Sequence, residues 1–207
     1  AIFAAAPSQN EVLEHVSRED IDWSKVTAYH MDEYVGLAPD APQRFARYLD
    51  EHIFSKVNFG KVNYLAGDDG KLNPVYSDMF THNRADICFM GIGENGHIAF
   101  NDPPVADLFD DNFAKEVKLD NVCRMQQVHD GCFASFDLVP EKAITLTVPT
   151  LLRTSKLICA VPGSTKAKAA YDMLNGPIGV ECPASSLRLH PDATLYLDAD
   201  AAALLKV

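Results

Sequence analysis

Asp32 and Glu33 stand side by side where the apolar run Val26-Thr27-Ala28-Tyr29-His30-Met31 gives way to Tyr34-Val35-Gly36-Leu37. Two adjacent carboxylates leaving a buried strand are costly unless they serve a purpose or meet a partner. One of them becomes a general base if burial lifts its pKa towards working pH; an ordinary capping or loop acid is the equal alternative. The longest concentration of reactive types is the stretch Gly91-Ile92-Gly93-Glu94-Asn95-Gly96-His97-Ile98-Ala99-Phe100-Asn101-Asp102-Pro103. Its glycines, Gly93 among them, let the backbone approach a ligand closely. Asn95, His97 and Asp102 put an amide, an imidazole and a carboxylate in one loop. A carboxylate beside an imidazole fixes its tautomer and favours its protonated form, which suits proton shuttling.

Two further segments suit an anion. Ala5-Ala6-Pro7-Ser8-Gln9-Asn10 is a strand-to-helix turn, with free backbone N–H groups and the positive end of a helix. Taken alone, and without a Gly-rich loop, it reads more readily as a plain N-cap at Ser8. Val161-Pro162-Gly163-Ser164-Thr165-Lys166-Ala167 repeats the arrangement, with hydroxyl and ammonium donors added, although a solvated surface lysine is its simpler reading. Ser8, Gln9, Gly93 and Lys166 are therefore the candidate ligand-binding residues, and Asp32, Asn95, His97 and Asp102 the candidate acid–base residues. His15, His52, His82, His129 and His190 lack such a setting and read as surface or structural, and Trp23 as core.

Each reactive segment follows a run that reads as a strand. Strands are expected at Ile2 to Ala6, Val26 to Met31, Val62 to Leu65, Asp86 to Met90, Ala143 to Val148, Leu157 to Val161 and Leu195 to Leu197. Helices are expected from Ser8 to about Val16, from Gln43 to Phe54 and from Ser164 to Leu174, while Gly67 to Arg84 is polar and reads as a loop. Continuous apolar strands alternating with helices predict a three-layer, doubly wound α/β fold, a mainly parallel Rossmann-like sheet with helices on both faces. Ligands bind such sheets at the carboxyl ends of the strands, where strand order reverses. No repeat or linker divides the chain, so residues 1–207 form one domain. Ile2 to Ala6 reads as a strand whose upstream partner is absent.

The chain has 207 residues and a formal net charge of −11. It lacks the basic stripe a nucleic-acid binder needs, but a small anion can still bind where a pocket is locally positive. No run of about 18 apolar residues could span a membrane, and Ala1 to Ala6 lacks the basic flank of a signal peptide. Five cysteines without a C-x-x-C pair argue against a zinc site or a disulfide framework and for a reducing cytoplasm.

From Phe3 to Asp198 the chain resembles the glucosamine-6-phosphate deaminase/isomerase family. The resemblance rests on Met31-Asp32-Glu33-Tyr34-Val35-Gly36-Leu37, the Gly91 to Pro103 loop, Lys166-Ala167, and Pro183-Ala184-Ser185-Ser186-Leu187-Arg188-Leu189-His190-Pro191. It implies conversion of glucosamine 6-phosphate and water to fructose 6-phosphate and ammonia, without metal or organic cofactor. Asp32 would move a proton between C2 and C1, His97 would open the pyranose ring, and Asp102 would support His97. Asn95 holds a position that is Asp in some branches. The related 6-phosphogluconolactonases share the fold and a similar Gly-His loop but not the Asp-Glu-Tyr-Val-Gly-Leu segment. A lactonase-type hydrolase and a non-catalytic sugar-phosphate sensor are therefore the alternatives. The resemblance also implies a further strand and helix ahead of Ala1, and leaves a homo-oligomer open. Two departures stand out. The family's Gly/Thr-rich phosphate loop reads Ala6 to Asn10 here, and its phosphate-binding arginine has no match around His129-Asp130-Gly131-Cys132-Phe133, Arg124 corresponding to another position.

Overall fold

The computed structural model describes residues 1–67 and 69–205, the side chains at positions 78, 79, 81 and 82 excepted. In chain order its elements are β1 (Ile2–Phe3), α1 (Asn10–Ser17), β2 (Thr27–His30), β3 (Asp32–Tyr34), α2 (Phe45–Leu49), β4 (Lys61–Val62), α3 (Pro74–His82), β5 (Ile87–Met90), β6 (Ala114–Lys118), α4 (Asn121–His129), β7 (Lys142–Leu146), α5 (Val148–Leu152), β8 (Lys156–Val161), α6 (Ala167–Asn175) and β9 (Ala193–Leu197). Six strands form a parallel sheet in the order β4-β2-β1-β5-β8-β9. The chain winds outward from β1 through β2 to β4, then restarts at β5 on the other side of β1. The switch point is therefore the β1/β5 pair. Ile2–Phe3 is not an edge strand short of a partner, as its sequence suggests, because β2 and β5 flank it on both sides.

Successive side chains of a strand point to opposite faces, and the core divides accordingly. Ile2, Tyr29, Cys88, Met90, Leu157 and Cys159 pack against Tyr76 and Phe80 of α3, Val148 and Leu151 of α5, and Ala169 and Met173 of α6. Phe3 and Ala28 face the other way, onto Leu13 of α1, Phe45 and Leu49 of α2, and Cys123 of α4. Phe3 stacks on Phe89 and meets Phe54 and Phe59 edge-on, an arrangement aromatic rings favour. On this face the sheet beyond β5 is less covered, and Phe89, Ile158 and Tyr196 line an apolar groove of about 580 Å³ with Val12 and Val16.

Three features differ from the sequence reading. Residues 67–84 are not all loop, since Pro74–His82 is a helix, begun by the Val75 N–H donating to Asn73 Oδ1. The side chain of His82 lies outside the described residues. Ala143 to Val148 does not join the parallel sheet: β7 is the centre of a second, antiparallel sheet in the order β3-β7-β6, and Val148 already belongs to α5. Trp23 is half-buried against Phe59 at the rim of the core.

Candidate active site

A cleft opens over the β1/β5 switch point. Ala4 to Ala6, Ser8 and Gln9 line it after β1, Gly91 to Gly93 and His97 after β5, and Lys166 after β8. Asp32, Gln126 and Gln127 complete the wall. Among the described residues its charged or titratable groups are Asp32, His97 and Lys166.

The small sheet brings Asp32 to the cleft. Asp32 pairs with Thr145 across β3 and β7, and the Thr145 hydroxyl accepts the Phe100 N–H at 3.1 Å. Beside it Asn101, fully buried, donates through Nδ2 to the carbonyls of Ile98 and Leu146, each at 2.9 Å. One strand therefore fixes Asp32 and the loop that carries His97. Behind Asp32, His30 accepts the Leu65 N–H on Nε2 at 2.8 Å. Its Nδ1–H therefore donates to the Asp32 carbonyl, at 2.9 Å. Burial drives the pKa of this histidine down to about 4, so the ring is a neutral strut.

The two adjacent carboxylates have different fates. Glu33 accepts the N–H groups of Tyr34, Phe45 and Ala46 at 2.9 to 3.0 Å, capping α2, and lies 3.9 Å from Nε of the buried Arg44. Asp32 has no such donors among the described residues. It is buried, and desolvation, with the Glu33 charge next to it, pushes its carboxyl well above the usual carboxylate range. A carboxyl of raised pKa facing a cleft is equipped to take a proton near neutral pH.

After β5 the chain turns at Gly93-Glu94-Asn95-Gly96, closed by the Gly96 N–H on the Gly93 carbonyl, while the Gly93 N–H donates to the His97 carbonyl. A Cβ on Gly93 would lie 2.0 Å from the His97 ring, so glycine here makes room for the imidazole. Asn95 Oδ1 accepts the His97 backbone N–H at 3.1 Å and meets Nδ1 at 2.7 Å. Its Nδ2 donates to Asp102 at 2.9 Å and to Asp120 at 3.2 Å. With two acceptors on Nδ2, the amide oxygen must face His97, so the imidazole carries its hydrogen on Nδ1. Asp102 Oδ1 lies 3.0 Å from the same nitrogen. Burial raises the Asp102 pKa, but the charge of His97 and hydrogen bonds from His97 and Asn95 outweigh it and hold the carboxyl below its ordinary value. Nε2 is left as the basic nitrogen.

The anion end is built differently from its sequence reading. Lys166 is almost wholly buried with no carboxylate within 4.0 Å among the described residues. Burial lowers the pKa of its ammonium, and the more distant charges of Asp130 and Glu94 partly offset this. Gln9 Nε2 is spent on the Ala160 carbonyl at 3.0 Å and Ser8 Oγ at 3.3 Å, and its buried Oε1 lacks a donor. Gln9 therefore offers an acceptor where a phosphate would ask for a donor. Arg124 is turned away, donating to the carbonyls of Phe136 and Val139 and stacking on the Phe136 ring at 4.0 Å. Sequence reasoning missed His30, Asp120 and Cys123 of α4, whose thiol lies beside Asp102 and His97. Of these, only Asp120 carried a signal, as an N-cap: its carboxylate accepts the N–H groups of Val122 and Cys123.

A family model described as "Glucosamine-6-phosphate isomerases/6-phosphogluconolactonase" matches residues 7–196. The chain belongs to this family. It is 34% identical over 210 residues to a glucosamine-6-phosphate deaminase of Lactobacillus delbrueckii subsp. bulgaricus, covering 99% of this chain and 86% of the relative. It is 35% identical to one of Listeria monocytogenes, with 98% and 86% covered. Among solved structures, a monomeric glucosamine-6-phosphate deaminase superposes with a TM-score of 0.87 at 28% identity, over 99% of this chain and 88% of that one. A 6-phosphogluconolactonase of Thermotoga maritima shares the fold, with a TM-score of 0.70 at 19% identity over 95% and 83% of the chains.

Proposed function

We propose that this family member is an amino-sugar-phosphate isomerase and deaminase that converts glucosamine 6-phosphate and water to fructose 6-phosphate and ammonia. The observation that carries the reading is one cleft holding a buried carboxylate and a buried ammonium, both without a partner among the described residues, and an imidazole with a fixed tautomer. The names of its relatives support the same substrate.

Each group has a step. His97 Nε2 takes the proton of the anomeric hydroxyl and returns it to the ring oxygen, opening the pyranose. Asn95 and Asp102 hold the ring and stabilise the imidazolium that forms in between. Asp32 then removes the C2 proton, leaving an enolamine, and delivers the proton to C1. The imine now at C2 adds water and expels ammonia, which balances the reaction. Lys166 and Ser8 hold the phosphate, with backbone groups around Gly93, and Gln9 Oε1 accepts from a sugar hydroxyl. No cofactor enters these steps. The protein acts in the cytoplasm, where its five free cysteines stay reduced. Among the described residues no helix is long and apolar enough to cross a membrane.

The test follows ammonia and fructose 6-phosphate together, from glucosamine 6-phosphate and the full chain. Equal amounts are expected. Hydrolysis of 6-phosphogluconolactone without ammonia release would move the chain to the lactonase branch. Ligand-induced thermal stabilisation without any product would make it a sensor.

A further inference from the structure

Beside the acid–base loop, α4 carries a thiol that the proposed reaction does not use. Cys123, fully buried in the first turn of α4, places Sγ within 4.8 Å of a donor atom from both His97 and Asp102. His97 Nδ1 and Asp102 Oδ1 are 3.0 Å apart. Asp102 itself is completely buried, and among the described residues no N–H or O–H group reaches its second oxygen, Oδ2; the Cys123 thiol beside the carboxylate is its hydrogen-bond donor. Thiolate, imidazole and carboxylate together are the donor set that zinc prefers, at about 2.0–2.3 Å from each ligand. Ligand atoms around a tetrahedral ion at those lengths stand about 3.5 Å apart, so the three side chains, whose donor atoms lie within 4.8 Å of one another, close in on a bound ion. The linear sequence hides this cluster, because its members lie on a loop and on a helix more than twenty residues away and show no ligand spacing.

We infer that His97, Asp102 and Cys123 form a binding site for a soft divalent cation such as zinc, and that the bound cation switches the acid–base loop off. His97 lines the cleft, so the ion enters from that side, with Asp102 and Cys123 behind the ring. The protons balance in two moves. The Cys123 thiol releases its proton to solvent as the thiolate binds. The Nδ1 hydrogen of His97 gives way to the metal and reappears on Nε2. The imidazole then shows the cleft an N–H in place of a lone pair and can no longer take a proton from substrate. Magnesium, which prefers oxygen ligands in an octahedron, does not suit the site.

The test titrates the chelator-treated full chain with cobalt(II), a spectroscopic stand-in for zinc, and needs no substrate, so it stands apart from the reaction proposed above. One equivalent of cobalt is expected to give a thiolate-to-cobalt charge-transfer band and tetrahedral d–d bands, both displaced by zinc. Cys123→Ser and Cys123→Ala should lose the charge-transfer band. They should also bind zinc at least about 10- to 100-fold more weakly, the range that even outer contacts of a metal site command. In the wild type, zinc should abolish turnover and a chelator should restore it, while magnesium does nothing. Absence of a charge-transfer band in the wild type overturns the proposal, as does a band that persists in both variants. Stoichiometric zinc binding with unchanged turnover refutes the switch.

Discussion

Asn95 Oδ1 meets His97 twice, accepting its backbone N–H at 3.1 Å and facing its ring Nδ1 at 2.7 Å. The amide cannot flip, because its nitrogen is held by Asp102 and Asp120. One side chain therefore sets both the backbone path into His97 and its tautomer. Asn95→Leu removes this control while keeping the volume. We expect kcat to fall by about 10²-fold or more, within the range that a positioned acid–base group supplies. Unfolding should stay cooperative, and steady-state kinetics beside a melting curve checks both.

Gly93→Ala should separate activity from folding. The added methyl has no space except that of the His97 imidazole, which it would approach to 2.0 Å. The ring must swing away, so the variant should fold, bind phosphate and lose most of its turnover. Wild-type activity would show that the ring works from another position.

Among the described residues Lys166 is the single lysine or arginine on the cleft wall. A hydrogen bond to a charged group is worth about 1.5–3 kcal/mol. Lys166→Met should therefore raise KM roughly 10- to 100-fold and weaken inhibition by inorganic phosphate in parallel, with a smaller change in kcat. An unchanged KM would place the phosphate elsewhere.

His30 makes stability depend on pH. It is neutral in the fold with a pKa of about 4, against 6.5 when exposed. Between these values the unfolded chain binds the extra proton, so stability falls as pH drops from about 6.5 to about 4. The loss amounts to roughly 3 kcal/mol. In His30→Gln this part of the acid sensitivity should vanish, at the cost of lower stability at neutral pH. Denaturant titrations of both proteins at pH 7 and pH 5 give the difference.

Much of the parallel sheet is legible in the chain, because β5 and β8 are apolar runs with reactive residues just after them. The second sheet is not. β3 is three residues long and begins with two acids, types that rarely form strands, and β6 reads Ala-Lys-Glu-Val-Lys with one buried side chain, Val117. Their strand character comes from pairing with β7, a long-range contact that local pattern does not encode. The same limit hid the partition between Asp32 and Glu33. Adjacent in sequence, they are told apart by the α2 N-terminus, which meets Glu33 and leaves Asp32 without donors among the described residues. The helix Pro74–His82 did carry a signal, Asn73 followed by a proline at the first helical position. Among its described side chains, the buried ones are Tyr76 and Phe80.

The central claim is that Asp32 moves the proton at C2. It is tested most directly with glucosamine 6-phosphate deuterated at C2, following loss of the label from that carbon by NMR in the wild type and in Asp32→Asn. The account predicts loss slowed by about 10²- to 10⁴-fold in the variant, with substrate binding retained. Label lost at the wild-type rate from a folded Asp32→Asn protein would contradict it and assign the proton to another group.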